Sequence, residues 1–243
     1  WDVEIVAGKS MLIIDGKKIP VFAEKDPAKL PWKKLKVDVV IESTGFFTTE
    51  EGSMAHIKAG AKRVVISAPA KGGNVPTYVL GVNHDHLGHE EAKILNNASC
   101  TTNSVAPVTE VIDRVFGIKK AMLTTVHGMT ASQSLVDAPK KDLREGRAAS
   151  ENIIPTTTGA AIAVTQTLPQ LVGKFDGLSV RVPIPVVSLS DMTFVLKKQV
   201  TKEQVNKALI AASKRRRYAG VLGVSNDPLV SSDYIGAPHS CVV

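Results

Sequence analysis

Short runs of β-branched residues alternate with helix-like segments, and this alternation constrains the fold of the chain more than any other feature. Val37–Ile41 and Arg63–Ser67 are typical of buried strands. Between them, Thr48 with Glu51 three residues later indicates a capping box, and the helix that it starts is expected to end at Gly60. Strand, helix and strand with short connections predict a parallel sheet covered by helices.

Further short strands are expected on both sides of this unit. Val3–Ala7, Met11–Ile14 and Ile19–Ala23 have the composition of strands, and Asp15–Gly16 is a hairpin turn signal between two of them. Tyr78–Val82 is expected to add another strand. The fold class predicted for the first half is therefore α/β.

A long amphipathic helix begins the second half of the chain. After Asn97–Cys100, apolar residues recur at helical spacing and predict one buried face. The change of pattern places a domain boundary near Ser99, with one domain over residues 1–99 and an α+β domain over residues 100–243. The residues of that apolar face are Val105, Val108, Ile112, Val115 and Phe116.

The second domain is expected to combine strands and helices around one long loop. The polar stretch Gly128–Pro155 lacks periodicity, and loops of that length in compact domains are usually functional or form interfaces. Helices are expected from Thr158 towards Leu168 and after a capping box formed by Thr201 and Gln204. The expected strands are Ala121–Val126, Leu178–Val182 and Ser190–Lys197.

The composition is that of an ordinary globular protein. The 243 residues are 44% apolar and 22% charged, and no apolar run approaches the roughly 18 residues that span a bilayer, so no membrane role is expected. Trp1–Glu4 lacks the features of a secretory signal. Two cysteines exclude a disulfide framework and suit a reducing compartment, so a cytoplasmic location is expected.

The charge balance favours anionic partners. There are 30 basic and 23 acidic residues, a net charge of +7, which suits phosphates or nucleic acid. Much of the excess lies in the basic run Lys214–Arg217. A solvated helix end is the ordinary explanation of such a run, and a contact with nucleic acid is the alternative.

Cys100 is the principal candidate for a nucleophile. It lies at the turn into the long helix, where unpaired backbone N–H groups and the helix dipole favour a thiolate. The neighbouring hydroxyls of Ser99 and Thr101 keep the position polar and can bind an anion. A small cysteine buried in a helix cap is the alternative. Cys241, beside Val242, has no helix start after it and is expected to be a buried apolar residue.

A thiolate nucleophile needs a base, and His127 is the candidate because it ends a predicted strand and opens the long loop. A hydrogen-bonded histidine of the core is the alternative. His84, His86 and His89 with Glu90 have the composition of a ligand cluster. A polar loop is the preferred interpretation of that segment, and no metal site is predicted.

Two further features indicate anion sites. Thr158–Gly159 lies at a predicted helix start, where backbone N–H groups are free to bind a phosphate. Arg181 lies between two valines of a predicted strand, where a charge is costly unless it is paired. A structural salt bridge is the alternative for Arg181.

Several motifs occur together in a fixed order along essentially the whole chain. The most specific is Ala98–Asn103, which reads ASCTTN. The other motifs are Glu42–Gly45, Ile66–Pro69, Gly81–His84, Thr124–His127, Glu151–Ala161, Arg181–Pro183 and Ser231–Asp233. With these motifs the chain resembles the glyceraldehyde-3-phosphate dehydrogenase family, and the resemblance strengthens the assignment of Cys100 as a nucleophile.

The resemblance implies an oxidoreductase of glycolysis that converts glyceraldehyde 3-phosphate to 1,3-bisphosphoglycerate with NAD or NADP. Cys100 would carry the substrate as a thioester and His127 would act as the base. Thr130 and Arg181 would hold the substrate phosphate. The residues implied for the attacking inorganic phosphate are Ser99, Thr158, Gly159 and either Arg147 or Arg144, and Thr101 is a further substrate-binding candidate.

The resemblance also implies a cofactor site in a partial, doubly wound dinucleotide-binding domain. The residues that would line it are Ser43, Thr44, Gly45, Ser67 and Ala68. The Gly-rich turn and the acidic residue that open this fold are absent from the sequence, as is the C-terminal end of the family. The chain is therefore expected to be an internal portion of a family member. Family members are usually homotetramers, with the loop Gly128–Pro155 at the subunit contacts.

Three alternatives remain open. A sister enzyme that oxidises erythrose 4-phosphate would carry the same motifs. A non-catalytic fragment could bind RNA or a protein through the basic run. A Cys–His hydrolase would use Cys100 and His127 but would leave the paired anion sites unexplained.

Overall fold

The computed structural model describes residues 5–7, 10–88 and 92–243. The chain divides into two compact units. Unit 1 extends to Ile66 and includes Ala70–Val75 and Ala92–Leu95, and the remaining described residues belong to unit 2. The domain boundary near Ser99 stays a prediction.

An antiparallel three-stranded sheet of β1 (Ile5–Ala7), β2 (Met11–Ile14) and β3 (Lys17–Pro20) begins unit 1. Asp15 and Gly16 form the expected two-residue turn, and both have a positive φ, 48° and 74°. The tight turn places Ile14 opposite Lys17, so the third strand starts at Lys17 rather than at Ile19. Residues 3 and 4 of the first predicted strand lie outside the described residues.

A second sheet of unit 1 confirms the predicted parallel arrangement. After the short helix α1 (Trp32–Leu35), strand β4 (Val39–Glu42), helix α2 (Glu50–Lys58) and strand β5 (Arg63–Ile66) follow in order. Strands β4 and β5 are parallel, with Glu42 opposite Ile66, and β6 (Ile94–Asn96) adds a third strand beside β5. The α/β class predicted for this half is therefore confirmed.

The strand predicted at Tyr78–Val82 is wrong. The backbone N–H of Val79 donates to the side-chain oxygen of Asn83 at 2.9 Å, and the N–H of Val82 donates to Val79 at 3.1 Å. These donors are used within a local turn and cannot join a strand ladder. The third strand of the sheet is instead the segment Ile94–Asn96, which periodicity did not reveal.

The cap predicted for α2 lies one residue further along the chain. Thr49, not Thr48, is the N-cap, and its hydroxyl accepts a hydrogen bond from the N–H of Gly52 at 3.0 Å. Glu51 is therefore in the first turn but not in the position that completes a capping box. Its charge still interacts favourably with the positive end of the helix dipole.

The first α-helix of unit 2 is α3 (Cys100–Phe116), whose apolar face was predicted from the sequence. Strands β7 (Ile118–Gly128) and β8 (Ile154–Thr156), helix α4 (Ala160–Thr167), strands β9 (Phe175–Val182) and β10 (Ser188–Leu196), and helix α5 (Lys202–Ser213) follow. Two short parallel strands, β11 (Leu222–Gly223) and β12 (Cys241–Val242), complete the unit.

The main sheet of unit 2 is mixed and has the strand order β10-β7-β9-β8. β7 and β9 are parallel, whereas β10 and β8 are antiparallel to their neighbours. The three long helices and the sheet share one core, in which Val105, Val111, Leu123 and Val164 are fully buried. This arrangement confirms the predicted α+β class.

Both helix starts predicted for unit 2 are confirmed. Gly159 is the N-cap of α4, and Thr201 forms a complete capping box with Gln204 at the start of α5. In the part of the chain that the structure describes, no helix combines the length and the apolar character needed to cross a bilayer.

The basic run Lys214–Arg217 follows the last residue of α5 and has a partly structural role. Arg217 donates from Nε to the carbonyl oxygen of Gly81 at 2.8 Å. It also donates hydrogen bonds to the carbonyl oxygen of Val82 and to the carboxylate of Asp85. The other three residues of the run are exposed. The three exposed residues agree with the expected solvated helix end, whereas Arg217 holds a loop of unit 2.

Candidate active site

Cys100 is the first residue of α3, as predicted. Ser99 is the N-cap, and its hydroxyl oxygen accepts a hydrogen bond from the N–H of Thr102 at 3.0 Å. The side chain of Cys100 is exposed, whereas Thr101 beside it is buried. The alternative of a cysteine buried in a helix cap is therefore wrong.

A strained turn directs the chain into this helix. Ala98 is buried and has a positive φ of 61°, a conformation that costs an L-residue roughly 1–2 kcal/mol. The side chain of Asn96 accepts from the N–H of Ala98 at 3.0 Å. The amide of Asn103 donates to the carbonyl oxygens of Asn97 at 2.6 Å and Ser99 at 2.9 Å. These contacts offset the strain and fix the position of Cys100.

The sulfur of Cys100 lies 3.4 Å from Nε2 of His127. His127 is the penultimate residue of β7, at the end of the strand, as predicted. The hydrogen bond to His127 lowers the pKa of the Cys100 thiol to about 7, against the opposing effect of desolvation, and contacts with Thr101 contribute further. Cys100 is therefore substantially ionised near neutral pH.

The same contact acts on the imidazole in the opposite direction. The hydrogen bond to Cys100 raises the pKa of His127, although desolvation and the charge of Arg181 oppose the effect. A lowered thiol pKa and a raised imidazole pKa together favour a thiolate–imidazolium pair. In that state Nε2–H donates to the sulfur, and Nδ1–H donates to the carbonyl oxygen of Gly128, 2.6 Å away.

Arg181 lies beside His127 because β7 and β9 are parallel and the two residues are directly paired. Its Nη1 lies 2.5 Å from Nδ1 of His127 and 3.3 Å from the carbonyl oxygen of Gly128. Within the described part of the chain, Arg181 forms no salt bridge, and its buried Nε has no hydrogen-bond partner. Guanidinium and imidazolium repel each other, so this corner favours the binding of an anion.

The other residues implied for phosphate binding lie in the loop or at α4. Thr130 is exposed, and its N–H donates to the side chain of Gln133 at 3.0 Å. Arg147 donates from Nε to both oxygens of Asp137 at 3.1 Å, and Arg144 pairs with Asp142. Each arginine already has a carboxylate partner, so a phosphate would have to compete with it.

Thr158 and Gly159 form the start of α4. The hydroxyl of Thr158 accepts from the N–H of Ala160 at 3.1 Å. Gly159 is exposed, and a methyl group added to it would meet no atom within 4 Å. The first turn of the helix therefore remains open to an anion.

The residues implied for the cofactor follow the carboxyl ends of two adjacent parallel strands, the usual location of nucleotide sites in α/β sheets. Ser43, Thr44 and Gly45 follow β4 in unit 1, and Ser67 and Ala68 follow β5 but pack with unit 2. Gly45 has a φ of +79°, and a methyl group added to it would meet no atom within 4 Å. The exposed polar backbone of the Ser43–Gly45 turn fits a dinucleotide.

No group of three metal-ligating side chains is present among the residues that the structure describes. His84 and His86 lie in a short 3₁₀ helix, and His89 and Glu90 lie outside the described residues.

Cys241 is half-buried, and burial raises the pKa of its thiol to about 12. It therefore behaves as the predicted apolar residue.

Sequence reasoning paired Cys100 with His127 and named Arg181 separately as an anion site, and the structure brings all three side chains into contact. It did not identify the strained Ala98 or the supporting roles of Asn96 and Asn103. A positive φ at a buried alanine leaves no signal in a single sequence. The pairing of β7 with β9, which places Arg181 beside His127, can be predicted only when the order and register of the strands in the sheet are known.

Two family models match the chain. The C-terminal domain of glyceraldehyde 3-phosphate dehydrogenase matches residues 99–243, and the NAD binding domain of the same enzyme matches residues 1–50. The chain is 50% identical to glyceraldehyde-3-phosphate dehydrogenase 2 of Bacillus subtilis (strain 168), over 100% of the chain and 71% of that protein.

Relatives in other organisms have similar identity. The glyceraldehyde-3-phosphate dehydrogenase of Zymomonas mobilis subsp. mobilis is 52% identical over 96% of the chain and 68% of that protein. The chloroplastic glyceraldehyde-3-phosphate dehydrogenase B of Pisum sativum is 50% identical over 94% of the chain and 51% of that protein.

The two cysteines should differ strongly in alkylation. The rate at Cys100 should rise through a midpoint near pH 7, whereas Cys241 should stay unreactive, since their thiol pKa values are about 7 and about 12. His127→Asn should move the Cys100 midpoint upward, because the hydrogen bond to His127 is the largest cause of the lowered pKa. Iodoacetamide rates with site assignment by mass spectrometry measure this. An unchanged midpoint in His127→Asn would contradict the assignment.

Proposed function

The chain belongs to the glyceraldehyde-3-phosphate dehydrogenase family, and on that premise we propose that it oxidises glyceraldehyde 3-phosphate and captures the product with inorganic phosphate. The observation that carries the proposal is the 3.4 Å contact between Cys100 and His127. It supplies an ionised nucleophile and an acid–base group next to an arginine that lacks an anionic partner.

Cys100 acts as the nucleophile. Its thiolate attacks the aldehyde carbon, a C–S bond forms, and the carbonyl oxygen takes the proton from Nε2 of His127 to give a thiohemiacetal. Neutral His127 then removes the hydroxyl proton while the C–H electron pair leaves as hydride, which produces a thioester. Bound NAD supplies the acceptor for that hydride.

Phosphate completes the reaction. A phosphate oxygen attacks the thioester carbon, the C–S bond breaks, and the acyl phosphate 1,3-bisphosphoglycerate leaves the Cys100 thiolate paired with imidazolium. A thiolate is a good leaving group, so the acyl group remains reactive towards phosphate. Ser99, Thr158 and the N–H of Gly159 are proposed to bind the attacking phosphate, with Arg147 or Arg144 assisting.

The substrate phosphate is assigned to Arg181 and Thr130. Arg181 has no anionic partner among the described residues, which supports the assignment, because a bound phosphate would reduce the repulsion between Arg181 and His127. Thr101 is a further substrate-binding residue in this proposal.

The cofactor is proposed to bind at the ends of β4 and β5, through Ser43, Thr44, Gly45, Ser67 and Ala68. A cytoplasmic location stays a prediction.

The nucleophile can be tested by substitution. Cys100→Ser should lower kcat by about 10³-fold or more, because a serine hydroxyl does not ionise beside a histidine. Cys241→Ser is the matched control and should keep full activity. Assays with glyceraldehyde 3-phosphate and erythrose 4-phosphate, with and without inorganic phosphate, identify the substrate. Normal turnover in Cys100→Ser, or a preference for erythrose 4-phosphate, would refute the proposal.

Arg181 can be tested with a substrate that lacks the phosphate. Arg181→Leu should raise the KM for glyceraldehyde 3-phosphate about 10- to 100-fold, the effect of losing a charged hydrogen-bond donor. The kcat/KM for unphosphorylated glyceraldehyde should fall much less, because only the effect of Arg181 on the pKa of His127 is then lost. Arg215→Leu, at an exposed arginine of the same unit, is the control. Equal losses with both aldehydes would show that Arg181 does not bind the phosphate.

A homotetramer is proposed as the assembly, on the basis of the family and of apolar side chains in the long loop. Leu135, Val136, Leu143 and Ile153 are 75%, 75%, 81% and 71% exposed, and single chains rarely leave so many large apolar groups in water. Sedimentation equilibrium should give a mass of about four chains. Replacing Leu135 and Val136 by serine should lower that mass, and a monomer in the unmodified protein would contradict the proposal.

A further inference from the structure

A buried hydrogen-bond chain lies behind the Ser43–Gly45 turn, and the proposed chemistry of Cys100 does not use it. Its centre is Glu42, the last residue of β4, which is 2% exposed. A carboxylate this deeply buried is costly unless both oxygens are hydrogen-bonded. Every contact described below lies within unit 1.

One oxygen of Glu42 holds the turn. Oε1 accepts from the backbone N–H of Thr44 at 2.8 Å and from the hydroxyl of Thr44. That hydroxyl in turn accepts from the N–H of Phe46 at 3.2 Å. The Thr44 hydroxyl proton is therefore committed to Glu42, and the backbone of the turn is fixed at two points.

The other oxygen of Glu42 is held by His56 of α2. Nε2 of His56 lies 2.9 Å from Oε2, and Nδ1 accepts from the indole N–H of Trp32 at 3.1 Å. Since Nδ1 is an acceptor, the proton of the neutral ring is on Nε2 and points at the carboxylate. The rings of Trp32 and His56 are also stacked, with centroids 6.3 Å apart.

The carboxylate is ionised at neutral pH. Burial alone would raise the pKa of Glu42, but the hydrogen bonds from Thr44 and His56 outweigh it and hold the pKa below its ordinary value. An ionised acceptor forms stronger hydrogen bonds than a neutral one. This series of hydrogen bonds therefore connects α1, α2 and β4 to the exposed Ser43–Gly45 turn.

We propose that Glu42, oriented by His56 and Trp32, is a positioning residue that holds the Ser43–Gly45 turn in the conformation that binds the dinucleotide. The inference rests on the proposed function, in which this turn binds NAD. Preorganisation reduces the ordering cost of binding, so loss of the carboxylate weakens cofactor binding without touching the reacting atoms.

The test compares Glu42→Gln with Asp38→Asn. Asp38 immediately precedes the same strand, is exposed and pairs with Lys62 at the surface, so it is a matched carboxylate control. Glu42→Gln should raise the KM and the calorimetric Kd for NAD about tenfold or more, the effect of losing a charged acceptor. The KM for glyceraldehyde 3-phosphate and the alkylation rate of Cys100 should match those of the unmodified protein, and Asp38→Asn should leave all four values unchanged.

A second pair of variants keeps the test decisive if Glu42→Gln folds poorly. Thr44→Val removes the hydroxyl at an exposed position and should weaken NAD binding, and Thr44→Ser should recover most of the loss. The double variant Glu42→Gln with Thr44→Val should be no weaker than the stronger single variant, because both remove one interaction.

Two results would overturn the inference: an unchanged Kd for NAD in folded Glu42→Gln and Thr44→Val, or equal losses in NAD binding and Cys100 alkylation. Failure of the proposed function is distinguishable. In that case the unmodified protein would not oxidise the aldehyde, while the calorimetric Kd for NAD would still report on Glu42.

Discussion

The contact between Cys100 and His127 joins two elements that the sequence separates by 27 positions, the start of α3 and the end of β7. Each partner shifts the ionisation of the other in the direction that produces charge, so the thiolate–imidazolium pair is favoured. The rest of unit 2 holds this contact in place. The helix start supplies the N–H groups, and the mixed sheet fixes where the imidazole lies.

Two locally unfavourable features accompany this arrangement. The left-handed conformation of Ala98 is unfavourable for an alanine, and the side chains of Asn96 and Asn103 stabilise it through hydrogen bonds to the backbone. The close approach of Arg181 to His127 places two cationic groups together. Backbone strain is typical of functional sites, and a bound anion would relieve the repulsion between Arg181 and His127.

Most of the fold could be predicted because the segments concerned have strong local signals. The Asp15–Gly16 turn, the parallel β4 and β5, the start of α3 and the capping box at Thr201 all follow from residue types at short spacing. The failures are also local. Tyr78–Val82 has strand composition, but Asn83 uses its side chain to satisfy the backbone.

The candidate site was only partly predictable for a different reason. Cys100 and His127 are residue types that commonly act as nucleophile and base, and the resemblance of the surrounding motifs to a known family strengthens both assignments. Their contact with Arg181 depends on strand register, which a single sequence does not encode visibly. The hydrogen bonds that link Trp32, His56 and Glu42 were not predicted, because residue type alone does not distinguish a buried carboxylate from an exposed one.

The ionisation of Cys100 can be measured directly from the ultraviolet absorbance of its thiolate. The difference between the unmodified protein and Cys100→Ser, recorded across pH, isolates this one group. A midpoint near pH 7, below the ordinary thiol value of 9.0, is the result that the account predicts. A midpoint at or above the ordinary value would show that the thiol is not activated and would contradict the account.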